Sequence, residues 1–159
     1  MKTESTISMT KSSDPLHRIG VYKTLEQVPD HSRLYNSATA FEGRDVWAEY
    51  VEHELSNPAQ TVQYETELVE ESWKEHMRQR GRHPALARPD DVESWFTGLI
   101  DRMQTKRAYN PYWVRLEDFY TYLLWHTEYP HSHHPPRMAA VQGGVTREVW
   151  EYKVSEWSI

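Results

Sequence analysis

Four histidines, His126, His131, His133 and His134, lie close together with Glu128 among them, and their chemistry is the easiest to name in this chain. Neutral imidazoles bind zinc or nickel, and a His-x-His pair can chelate. Their order matches no closed metal site, however, and Pro130, Pro135 and Pro136 space them awkwardly. The preferred reading is a solvated His-rich loop without a bound metal. The carboxylate pairs Glu70-Glu71 and Asp90-Asp91 are adjacent, so on a helix they point in different directions and form no hydrolase pair. Gly143-Gly144 lacks the lysine and spacing of a phosphate loop. No enzymatic activity and no cofactor are expected.

The second chemical signal is a band of cations. Lys74, Arg78, Arg80, Arg82, Arg88, Arg102, Lys106, Arg107 and Arg115 face only Glu75, Asp90, Asp91, Glu93 and Asp101 over the same stretch. Nine against five leaves +4 there and −10 over the rest of a chain whose net charge is −6. Such a sign asymmetry suits a nucleic-acid surface. The plainer reading is a solvated helix pair with ordinary surface arginines. A helix dipole, which favours acidic first turns and basic last turns, explains part of the split.

Helices must position these groups. The stretch from Tyr112 to His126 organises the rest: Asn110 can cap it, Pro111 suits a first helical turn, and Leu116, Phe119, Tyr120 and Leu123 form one apolar stripe. Arg115, Asp118 and Tyr122 fall largely off that stripe. Before it, helices are expected from Phe41 or Gly43 to Leu55, from about Pro58 to Arg80, and from Pro89 onward, where Val92, Trp95, Phe96, Leu99, Ile100 and Met103 face inward. The prolines after His126 should prevent a helix there, leaving at most a short turn over Arg137 to Val141. A last helix is expected from Val145 to Trp157. Residues 1–18 read as a disordered tail and 19–159 as one helical domain. With no strand or hairpin signals, the expected class is an all-α bundle of about five helices.

The totals agree. At 159 residues the chain can bury one real core, and seven Trp with ten Tyr can fill it despite an apolar share of only 38%. The absence of cysteine excludes disulfides and thiolate metal sites. No apolar run is long enough to cross a bilayer, so a cytoplasmic protein with no membrane partner is expected.

Two motifs stand in order: Pro89-Asp-Asp-Val-x-x-Trp-Phe-x-x-Leu99, then, after the Thr105-Lys106-Arg107 link, Leu116-x-x-Phe-Tyr-x-Tyr-Leu123. This order resembles the N-terminal core-binding (SAM-like) domain of tyrosine recombinases and phage integrases, over roughly positions 61–140. Asp91, Val92, Phe96, Leu99, Thr105, Leu116, Phe119, Tyr120, Tyr122 and Leu123 carry the match. Trp125 to His131 and Pro135 to Ala140 are similar, more narrowly, to integrase-related proteins of haloarchaea. Residues 61–80 do not keep the family's usual spacing.

The resemblance implies that basic helix ends lie on duplex DNA, with a role in DNA integration, recombination or its regulation. The implied contacts are Lys74, Arg78 and Arg82, then Lys106, Arg107, Asn110, Tyr112 and Arg115. Such a family member also needs a separate catalytic domain, and the residues after Ala140 are too few to hold one, so no tyrosine is expected to be a nucleophile. A second copy of the chain or a recombinase would be natural further partners. The rival reading is a protein–protein adaptor, or a homodimeric helical module without DNA affinity. Its exposed Trp113, Trp125 and Trp157 would cover a partner.

Overall fold

A computed structural model describes residues 13–157, with side chains as far as Ser155. The fold is all-α. Seven helices follow an irregular strap: α1 (Ala38–Phe41), α2 (Val46–Glu54), α3 (Gln60–Arg80), α4 (Pro89–Ile100), α5 (Val114–Trp125), α6 (Pro135–Gln142) and α7 (Gly144–Trp157). No strand occurs among the described residues, and the helix count exceeds the five expected.

The two excess elements have physical causes. Ala38–Phe41 is one turn that buries the Phe41 ring at the end of the strap. In α6, Pro135 and Pro136 stand in the first turn, where a missing N–H costs nothing and the fixed φ favours entry. The expectation that these prolines prevent a helix is thus corrected. His134 caps α6, its Nδ1 accepting from the Arg137 N–H at 3.3 Å.

Elsewhere the termini follow side-chain chemistry. Asp45 caps α2 through the Ala48 N–H, and α3 ends in the left-handed Gly81, with the Gly81 and Arg82 N–H groups folded back onto Arg78 and Met77 carbonyls. Pro89 opens α4, and the Asp91 carboxylate accepts from the Arg88 N–H at 2.8 Å. The α7 N-terminus is capped from another helix. Glu93 of α4 accepts from Val145 N–H and Thr146 N–H, both at 2.9 Å. A β-carbon on Gly144 (φ +76°) would collide with that carboxylate.

The segment before α5 breaks at Asn110, whose φ/ψ of −121°/108° lies outside the helical region. The chain resumes helically after Pro111, so the break falls where the sequence placed it. Helix α5 then lies at the centre, with Leu116, Phe119, Tyr120 and Leu123 fully buried. Phe119 packs on Trp47 and Tyr50 of α2, at centroid distances of 4.6 and 5.4 Å. Tyr122, expected off the stripe, is also buried. Its hydroxyl bonds Tyr129 at 2.8 Å and His53 at 2.6 Å, which makes burial affordable for a polar ring tip.

A second aromatic run crosses the bundle: Trp73 of α3 meets Trp95 of α4 at 4.9 Å, Trp95 meets Phe96, Phe96 meets Trp113, and Trp113 meets Trp150 of α7. These rings belong to one hydrophobic core reaching from Leu34 to Trp150. Residues 13–18, expected in the disordered tail, dock on that core. Pro15 is buried and the Ser13 carbonyl accepts from Trp150 Nε1 at 2.7 Å. The first twelve residues of the expected tail lie outside the described residues.

Candidate nucleic-acid interface

The end of α3, the 81–88 loop, the start of α4 and the link into α5 carry the cation band. Its eight residues separate into distinct environments. Lys74 donates to Glu70 at 2.6 Å and to Asp45 at 3.0 Å. Burial opposes its charge, but the two carboxylates outweigh it and raise the ammonium pKa. Arg78, largely exposed, forks onto Glu75 one turn earlier, at 2.6 and 3.0 Å.

Arg82 donates through Nε and Nη2 to Asp91, a carboxylate with no exposed surface. Asp91 also accepts from Arg80 and from the Arg88 N–H. Burial alone would push the Asp91 carboxyl up, yet these donors hold it below the usual carboxylate range. Arg115 donates to the Tyr50 hydroxyl at 3.1 Å and lies 3.8 Å from Asp118, with which Tyr50 shares a 2.6 Å bond. Tyr112 is 5% exposed and packs on Trp95 at 5.8 Å. These five residues are committed to the fold or to neighbouring acids.

The other three share the link. Lys106 and Arg107 are exposed in a single helical turn, Thr105–Arg107, and Asn110 is exposed just after it. No carboxylate lies within ion-pair distance of Lys106 or Arg107 among the described residues. Arg102, exposed four residues before Lys106 and likewise without such a partner among the described residues, extends the patch, and exposed Asp101 precedes it in the chain. Arg102 also lines an open groove of about 720 Å³ between α3 and α4. Ser94 and Gly98 share its wall, and Ser72, Glu75 and Gln79 stand opposite. Glu71 and Glu75 also line the α3 wall of this groove.

Sequence reading could have found part of this pairing. Glu70 with Lys74 and Glu75 with Arg78 stand four and three residues apart, the spacing at which helix neighbours meet. Asp91 as a hub for two arginines, and the capture of Arg115 by Tyr50, depend on tertiary contacts and left no local signal.

The histidine turn differs from the solvated loop expected. His131, His133 and His134 are buried, and only His126 of the four keeps substantial exposure. His131 Nε2 meets the Ala85 carbonyl at 2.6 Å, and His134 meets Thr121 Oγ1 at 3.2 Å. Burial lowers the imidazole pKa of His131 and of His133 to about 4, and takes His134 well below the ordinary value. Among the described residues no group of three His or carboxylate side chains is placed to hold a metal ion.

His134 has no exposed surface, and Arg137 is bound to Glu117 at 3.0 Å. The pair therefore serves the core. Lys153 of α7 reaches the same Glu117 carboxylate at 2.9 and 3.0 Å, and Trp113 Nε1 donates to it at 3.0 Å. Burial raises the Glu117 carboxyl pKa, but the cations more than compensate and the net shift is downward.

Of the rings expected to cover a partner, Trp113 is fully buried against Trp150, whereas Trp125 is 62% exposed. The Trp157 side chain lies outside the described residues. No family model matches the chain, and neither does any curated protein or solved structure. No helix is long and apolar enough to cross a membrane among the described residues.

Proposed function

We propose that this chain is a non-catalytic duplex-DNA-binding protein, similar in plan to the core-binding module of tyrosine recombinases, and that it works beside a recombinase or in regulating one. The observation that supports this reading is the link patch. Arg102, Lys106 and Arg107 are exposed and without carboxylate partners in an acidic protein that pairs most of the other basic residues of this band. Cations left free of acids can neutralise phosphates and release counterions, the source of sequence-independent affinity. Asn110 beside them has the donor and acceptor needed at an adenine edge. The contact set is thereby narrowed from the expected eight to the link. Lys74, Arg82 and Arg115 act as structural residues.

The test is a gel-shift salt series on duplex DNA. Changing both Lys106 and Arg107 to Ala should weaken binding for every sequence and flatten the log K against log salt slope by roughly 1.8, about 0.9 per lost phosphate contact. Arg82→Ala, whose guanidinium Asp91 holds, should keep the wild-type slope. A protein that shifts no duplex at low salt overturns the proposal, and exposed Trp125 then becomes the first residue to test for a protein partner.

A further inference from the structure

We propose that the groove between α2 and α3 docks a basic amphipathic helix of a partner protein, with aliphatic side chains inward and lysine or arginine at the rim. The groove has a volume of about 540 Å³. It shares no residue with the link patch, so the proposal stands apart from the DNA reading.

The α2 wall is apolar. Ala48 and Val51 of α2 and Leu55 just beyond it stand three and four residues apart, the spacing that puts side chains on one helix face. Ala48 is exposed, and the core covers Val51 and Leu55 only in part. Pro58 continues this surface into the turn before α3. The row from Ala48 to Leu55 is about 10 Å long, close to two turns of helix.

Charge selects the partner. Glu67 and Glu70 line the groove from α3 and Glu52 lines it from α2, while no basic residue lines it. Lys74 reaches Glu70 at 2.6 Å and compensates it. Glu52 and Glu67 have no cation within ion-pair distance among the described residues. Two uncompensated, exposed carboxylates beside an apolar row suit a partner that carries both an apolar stripe and positive charge. The described residues offer no strand edge, so an extended peptide finds no backbone ladder to join. A helix satisfies its own backbone and repeats its side chains at the same three- and four-residue steps as the row.

The experiment uses the full chain and a fluorescein-labelled helical peptide, with leucine at i, i+3 and i+7 and lysine elsewhere, followed by anisotropy. The comparators are a scrambled peptide of the same composition and the same pattern with glutamate for lysine. The leucine–lysine peptide should bind saturably with a Kd of roughly 10–100 μM, and ¹⁵N amide shifts should centre on Ala48, Val51 and Glu67. Changing both Glu52 and Glu67 to Gln should weaken binding about fivefold, because exposed ion pairs contribute modestly. Ala48→Arg fills the groove from an exposed position that belongs to no core contact, with a good helix former, and should weaken binding at least roughly tenfold. The Lys106→Ala/Arg107→Ala protein should bind the peptide as the wild type does, which separates this result from the DNA test. No saturable binding by about 500 μM overturns the proposal. So does equal binding of the scrambled or the glutamate peptide, an unchanged affinity in either groove variant, or shifts centred on Trp125. A wild-type dimer that Ala48→Arg dissolves gives the groove to a second copy and overturns it as well.

Discussion

Glu117 joins three helices at one carboxylate: its own α5, α6 through Arg137, and α7 through Lys153. Both cations are mostly buried, with side chains 13% and 15% exposed. Removing the acid therefore strands two charges away from water, which is worse than losing an exposed ion pair. Glu117→Ala should lower stability by about 3–5 kcal/mol, seen in urea as a lower midpoint with little change in slope. A loss no larger than that of a surface pair would show that water reaches the site. Little in the sequence marks Glu117. It stands on the polar flank of an amphipathic helix, where a carboxylate is ordinarily solvated, and its partners are 20 and 36 residues away. The burial of the His turn is hidden in the sequence for a related reason. Histidine and proline read as polar and loop-forming, but these imidazoles are neutral and fill space in the core.

At the scale of elements, α4 and α5 were legible because each repeats large apolar residues at three- and four-residue spacing, and Pro89 and Pro111 mark their starts. The chain's start was less legible. The strap consists of short 3₁₀ turns whose buried Val28 and Leu34 have no period to reveal them. The cap of α7 was hidden too, since Glu93 acts across more than fifty residues instead of from the preceding turn. Helix α7 begins with a glycine pair that supplies no capping side chain, so it depends on this distant carboxylate. Glu93→Ala should cost about 1–2 kcal/mol, near the upper range for losing a cap. Hydrogen exchange should locate the loss by faster exchange at Val145 and Thr146. Unchanged protection there would mean that packing of Trp150 alone holds the helix.

For the whole molecule, acid is the expected weakness. His131 and His133 have native pKa values near 4, against 6.5 for an unperturbed imidazole. The unfolded chain therefore takes up protons first as pH falls, so the contribution of these residues is fully present above about pH 6.5 and lost progressively down to about 4. Each can remove up to about 3 kcal/mol over that window. Asp91 and Glu117 have lowered pKa values, so their contributions persist through this window and are lost only at more acid pH. A helical circular-dichroism signal followed with urea at pH 7, 6 and 5 should show falling midpoints, and constant midpoints would contradict neutral buried rings. The aromatic run through the bundle has a spectroscopic consequence. Trp73, Trp95, Trp113 and Trp150 lie close enough for excitation to pass among them, so their light reports the interior as a pool, whereas the indole of Trp125 stands in water. An ionic quencher would reach Trp125 and leave that pool bright, giving one chain two optical gauges, one for its surface and one for its core.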